Sequence, residues 1–273
     1  MRRAAAALLI LAGVASGPGP PLTGVLALGT GQTVFVVRAG GTGGHALLAG
    51  DYPAYSRSGE LAYTLDGVWV ARPDGTRRRH IVPRFAEYLT YANPAWSPDG
   101  RWIAYVRVDN GHETSELWLV RADGSRLHGL TIVHVAQTPA WSPDGRWIAY
   151  VGDGGLSEVR ADGSARRTLL RRNVTTPVWS PDGRTIAVEE AHGSTMTIEL
   201  LDVASLRLRR IDHYAGQPGP LAFSPDGHWV AFATQRADAG GAFVQIRAVD
   251  VDSGARRLIA RSFVQHLDGL AWR

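Results

Sequence analysis

The sequence predicts an all-β protein, a six-bladed β-propeller of four-stranded antiparallel blades whose ring is closed by a composite blade. Three observations predict it. A twelve-residue segment recurs unchanged, Pro94-Ala-Trp-Ser-Pro-Asp-Gly-Arg-Trp-Ile-Ala-Tyr105 matching Pro139-Ala-Trp-Ser-Pro-Asp-Gly-Arg-Trp-Ile-Ala-Tyr150, with further copies around Trp179-Ser-Pro-Asp-Gly183 and Phe223-Ser-Pro-Asp-Gly227. A second tight turn follows each copy, as in Leu117-Trp-Leu-Val-Arg-Ala-Asp-Gly124. The aromatic anchors Tyr55, Trp96, Trp141, Trp179, Phe223 and Trp272 are spaced 41, 45, 38, 44 and 49 residues apart, close to the roughly 40–45-residue period of propeller blades.

Each element follows from local chemistry. In Ser-Pro-Asp-Gly, proline presets φ for the first central position of a type I turn, aspartate suits the second, and glycine accepts the positive φ that follows, so the motif joins a first strand to a second. The second-strand runs, such as Arg101 to Val106, are apolar without alternation, as expected where neighbours cover both faces of a sheet. Asp-Gly between two such runs marks the hairpin from the third strand to the fourth. A degenerate copy, Pro53 to Tyr63, opens the series one residue short.

The last anchor, in Leu270-Ala-Trp-Arg273, has no second strand after it. The missing strands stand at the other end. Val25 to Leu28 reads as a second strand, Thr33 to Arg38 as a third with its Gly40-Gly41 turn, and His45 to Ala49 as a fourth. Pairing one C-terminal strand with three N-terminal ones leaves no open seam in the ring.

The expected organisation is a signal peptide over 1–17, a linker over 18–24 and the propeller over 25–273. Arg2 and Arg3, the apolar Ala4 to Val14 and the small residues Ala15-Ser16-Gly17 form the charged start, core and cleavage region of an export signal. Eleven apolar residues fall short of the roughly 20 that span a bilayer as a helix, so no transmembrane segment is expected after signal removal. The expected location is periplasmic, or extracellular in association with the cell envelope. With no cysteine in the chain, disulfides, cysteine-ligated metals and a thiol nucleophile are excluded. The net charge of +4 from 29 basic and 25 acidic residues falls to +2 (27 minus 25) without Arg2 and Arg3, and every basic residue is arginine. So modest a charge does not point to nucleic acid.

Four intact Trp/Phe-Ser-Pro-Asp-Gly copies make the chain resemble the TolB-like propellers of bacteria, over roughly residues 25 to 273. The resemblance implies the fold. TolB has an α/β domain before its propeller, whereas here the first blade begins almost directly after the signal, so the role of TolB in envelope maintenance does not carry over with the blades. Six-bladed lactonase-type enzymes, a second resemblance, hold a metal in the channel with acidic and amide side chains.

Within the propeller plan, the connections between blades and the loops from second to third strands share one mouth of the central channel, with the Ser-Pro-Asp-Gly turns at the opposite end. That places Asp51, Asn93, His134, His213, His266 and Asp268 near the starts of first strands, and Asp109, His112, Glu113, Glu189, Glu190, His192 and Asp238 in the second-to-third loops. From these, Asp51, Asn93, His134, Glu190, His192, His213, His266 and Asp268 are the candidate binding residues, and no catalytic residue is assigned. No His-Glu-x-x-His, Gly-x-Ser-x-Gly or phosphate-cradling motif is present. The arginine clusters at Arg77 to Arg79, Arg166-Arg167, Arg209-Arg210 and Arg256-Arg257 follow the third-strand turn, where charge protects an outer sheet edge. The expected protein is a monomeric binding scaffold without a cofactor, its partner an envelope or extracellular protein or a small ligand. The alternative is a metal-dependent lactonase-type hydrolase, with a divalent metal held by the mouth carboxylates and histidines.

Overall fold

The structure, a computed structural model, describes residues 20–133, 138–152, 154–238, 241–262 and 267–273. The signal segment 1–17, His134 and His266 lie outside the described residues. Among those described, no helix is long and apolar enough to cross a membrane.

Six four-stranded antiparallel sheets follow one another around an axis. The chain first lays down β1 (Val25–Gly29), β2 (Thr33–Arg38) and β3 (His45–Ala49). Blade 1 is β4 (Asp51–Tyr55), β5 (Leu61–Thr64), β6 (Gly67–Ala71) and β7 (Arg79–Pro83), and blade 2 is β8 (Leu89–Trp96), β9 (Trp102–Asp109), β10 (Thr114–Arg121) and β11 (His128–Val133). Blade 3 is β12 (Ala140–Trp141), β13 (Trp147–Gly152), β14 (Gly155–Arg160) and β15 (Arg166–Leu170). Blade 4 is β16 (Val174–Trp179), β17 (Thr185–His192), β18 (Thr195–Asp202) and β19 (Leu208–Ala215). Blade 5 is β20 (Leu221–Phe223), β21 (Trp229–Asp238), β22 (Gly241–Asp250) and β23 (Arg256–Ser262). Finally β24 (Gly269–Trp272) pairs antiparallel with β1, setting Trp272 opposite Leu26 and Leu270 opposite Leu28, which gives the sixth sheet the order β24-β1-β2-β3. Residues 20–24, expected as linker, are drawn into this seam: the Trp272 indole donates to the Thr23 carbonyl at 2.7 Å, and Leu22 packs on the adjoining core.

The core lies between blades. Second strands are covered on both faces, Ile103 to Val106 being no more than 1% exposed. Six apolar clusters fill the six interfaces; one joins blade 5 to the composite blade through Trp229, Ile246 and Leu270, and another joins the composite blade to blade 1 through Val34, Leu61 and Tyr63.

The turns show why the motif recurs. Ser97 Oγ donates to Asp99 at 2.6 Å and accepts the Trp102 N–H at 2.9 Å, and Ser142 and Ser180 do the same with their own aspartates. In the degenerate copy Ser58 replaces the aspartate, bonding Ser56 Oγ at 2.9 Å while the Glu60 N–H takes the other bond. The outer arginines tie neighbouring blades: Arg79 donates to the Ala122 carbonyl, Arg209 to the Val251 carbonyl, and Arg256 pairs with the buried Asp212.

Candidate functional site

Counting back from the aromatic anchors places the mouth of the channel. Four residues before Tyr55 stands Asp51, and four before Trp272 stands Asp268; the other blades have Ala92, Gln137, Thr175 and Gly219 there. Because the composite blade adjoins blade 1, the two carboxylates are neighbours. Their carboxyl groups share a hydrogen bond. Asp51 is 8% exposed and accepts the Tyr52 N–H at 2.9 Å. Burial, and then the charge of Asp268, push its pKa up to about 7. A buried carboxyl beside a second carboxylate keeps its proton toward neutrality, as like charges in a dry site require. A Cβ at Gly29 would stand 2.2 Å from Asp51 Oδ1, so only glycine admits this carboxylate.

One position further on, the first strands bulge. The register of β4 shifts between Asp51 and Ala54, that of β8 between Ala92 and Ala95, and that of β16 between Thr175 and Val178. The residues inside the bulges, Tyr52, Asn93 and Thr176, have φ of 47°, 53° and 46°. A left-handed conformation costs a non-glycine residue about 1–2 kcal/mol, and such strain concentrates where a side chain must be aimed. Tyr52 shares a cavity wall with Asp51, and burial, then the charges of Asp268 and Asp51, push its hydroxyl up to about 12. Asn93, 6% exposed, accepts the Thr138 hydroxyl of blade 3 at 3.0 Å, and so links two blades across the mouth.

The remaining candidates stand elsewhere on the same end. Glu190 receives Arg172 Nη1 at 2.9 Å and lies 3.4 Å from His192 Nε2, forming a cluster with Glu199 on blade 4. His213 is on β19, the outermost strand, its side chain exposed and its N–H given to Asp212. Asp109 and His112 bond each other at 3.0 Å in an exposed loop. Among the described residues no three acidic or histidine side chains converge in a geometry that holds a metal.

Glu189 is buried to 0% exposure. Its Oε1 accepts the Tyr214 hydroxyl at 2.6 Å and its Oε2 the Gly219 N–H at 3.0 Å, pinning the connection from blade 4 to blade 5. Burial raises its pKa to about 7 despite those two bonds, which lower it. Glu189→Ala is expected to cost about 2–4 kcal/mol, because a buried hydroxyl and a backbone N–H lose their acceptor together; the urea midpoint measures it.

Beside the carboxylate pair opens a cavity of about 550 Å³, walled by Asp51, Tyr52, Asp66, Arg84 and Tyr91 of blades 1 and 2. Leu65, also in its wall, is 58% exposed, and Phe85 (61%) and Tyr88 (53%) stand on the connection that runs from Arg84 to Leu89, both of which line it. Tyr52 and this apolar rim were not among the residues singled out from sequence. The offset that aligns Tyr52 with Asn93 was available as a signal; the 84–88 connection matches no repeat.

No protein-family model matches the sequence. No curated protein matches it either. Solved structures do resemble it. TolB from Acinetobacter baumannii superposes with a TM-score of 0.78 at 17% identity over 93% of this chain, which spans 67% of that one. A putative TolB from Agrobacterium tumefaciens gives 0.67 at 17% identity, over 93% of this chain and 99% of that one. An oligogalacturonate lyase in complex with manganese gives 0.61 at 14% identity, over 93% and 84%. Blade number, strand order and superposition agree that this chain has the TolB-like six-bladed propeller fold.

Proposed function

We propose that this propeller is an exported, non-catalytic binding module that receives a segment of another protein at the channel mouth, in the cavity between blades 1 and 2. The observation that carries the reading is the placement of exposed apolar side chains. Of the six large hydrophobic residues most exposed among those described, Leu65 lines this cavity, and Phe85 and Tyr88 belong to the short connection between two residues of its wall, Arg84 and Leu89. Apolar groups gathered around a depression with polar walls are the usual make-up of a protein contact. Asp66 and Arg84 in the walls supply opposite charges for register. A photocrosslinker at Phe85 is expected to capture one defined partner in cells. The double substitution Leu65→Ser and Tyr88→Ser should abolish that capture. Equal capture from a probe at the outer-strand Arg166 would refute the assignment.

The second reading is a metal-dependent hydrolase, favoured by the Asp51–Asp268 pair and by the fold shared with a lyase whose structure holds manganese. In that reading a divalent cation replaces the proton the two carboxylates share. Their chemistry suits calcium or manganese, but Asn93 is turned to Thr138, so two ligands are at hand rather than a full set. Millimolar calcium or manganese should then raise the unfolding temperature of the wild type and leave Asp51→Asn unmoved; no shift in either protein rejects the enzyme.

A further inference from the structure

We propose that the opposite end of the channel, where the Ser-Pro-Asp-Gly turns lie, is a site for a small carboxylate ligand, held by Arg57 and Arg273. The first strands of all six blades enclose a cavity of about 500 Å³ that opens there. Four blades line the opening with proline: Pro98, Pro143, Pro181 and Pro225. At the seam of the ring, Arg57 takes the proline position in blade 1, and Arg273, one residue after its anchor where the other blades have serine, lines the opening from the composite blade. Blade 1 also lacks the turn aspartate carried by the other four, having Ser58 where they have Asp99, Asp144, Asp182 and Asp226. Cations are therefore added, and an anion removed, in one sector of the rim.

Both side chains are placed for a ligand rather than for a protein carboxylate. Arg273 lies with its guanidinium carbon 4.6 Å from the Tyr55 ring centre. It packs over Gly59, where a Cβ would stand 2.8 Å from Nη1. Its Nε is buried and makes no hydrogen bond. Arg57 is exposed and extends to the Pro143 carbonyl of blade 3, at 3.5 Å, leaving most of its five donors unused. Neither arginine has an acidic partner among the described residues, whereas Arg101, Arg146 and Arg184 each lie 3.9 Å from their own turn aspartate.

A planar guanidinium fork matches a carboxylate in shape and charge. A cavity of this volume falls in the range that holds a small molecule. The other end of the same seam carries Asp51 and Asp268, so within the seam the arginine end is the one whose side-chain charge suits an anion. The site is thus separate from the protein-binding cavity, and its failure would leave that reading untouched.

Succinate is the probe, with the uncharged succinamide as its control, measured by titration calorimetry at low ionic strength. The wild type is expected to bind succinate saturably and succinamide not at all. Arg57→Pro installs the residue the four intact turns already carry, so the fold is kept; binding should weaken about tenfold or more, the worth of a charge-assisted hydrogen bond. Arg57→Gln should weaken it likewise, and Phe85→Ser at the mouth should leave it unchanged. Absence of saturable succinate binding by the wild type, equal binding of succinamide, or undiminished binding by Arg57→Pro would each overturn the proposal.

Discussion

Trp272→Ala is expected to destabilise the protein by about 3–5 kcal/mol, the usual cost of emptying a buried tryptophan site. The loss is larger than at an ordinary anchor because three contributions meet there. Trp272 is 9% exposed and packs in the cluster that joins blade 5 to the composite blade. Its indole N–H holds Thr23, and its strand pairs with β1 on the side away from β2. Without β24, Leu26 and Leu28 on β1, no more than 1% exposed, would lie along an open sheet edge, a template for pairing with other chains. Deleting residues 269–273 is therefore expected to give a protein that associates at micromolar concentration and unfolds well below the full chain. Urea unfolding of the substitution and size-exclusion chromatography of the deletion measure the two effects. A monomeric deletion variant with an unshifted midpoint would show that the ring does not depend on this seam.

The ring was legible in the sequence because its information is local. Ser97, Pro98, Asp99 and Gly100 form their turn from their own side chains and dihedral preferences, so the motif announces each hairpin wherever it occurs. The seam was legible because Trp272 and Val25 to Ala49 each lacked what the other supplied. The mouth was legible only as a set of loops. That Asp51 meets Asp268 follows from their equal distance ahead of the anchors, which blade counting provides. That Tyr52 shares a cavity wall with Asp51 depends on a bulge with left-handed backbone, and no composition or spacing specifies it. Glu189 shows the same limit. A carboxylate beside Glu190 in a strand-end loop reads as solvated, yet register sends alternate residues to opposite faces, so Glu189 is buried against Tyr214 while Glu190 meets Arg172 near the surface. The cavity between blades 1 and 2 arises from a connection unlike any other in the chain, and repetition cannot report what is not repeated.

Stability is expected to fall as pH rises from about 4 to about 7, the reverse of the acid lability of most proteins. The sign follows from the carboxyls that folding makes weaker acids. Asp51 has an ordinary value of 3.8 and about 7 in the folded chain. Between those two values the folded state keeps a proton that the unfolded state has released, so unfolding gains with each increment of pH. The contribution is fully present below the unfolded value and is lost once pH passes the folded one. At 1.36 kcal/mol for each tenfold change in proton affinity, the loss is of the order of 4 kcal/mol. Glu189 acts in the same direction over a window from 4.5 to about 7, so the two carboxyls must be separated by substitution. In Asp51→Asn the amide oxygen can still accept the Tyr52 N–H, and the amide N–H can donate to Asp268 where the shared proton stood. The variant is expected to match the wild type near pH 4, to exceed it at pH 8, and to show a shallower decline between, the residue of that decline belonging to Glu189 together with Glu158 and Glu199, whose carboxyls burial also makes weaker acids. Urea midpoints measured at intervals from pH 4 to pH 9 read all three. An identical pH profile for wild type and Asp51→Asn would mean that the mouth carboxylates do not share a proton, and with it the physical basis for a cation site at this end of the channel would be lost.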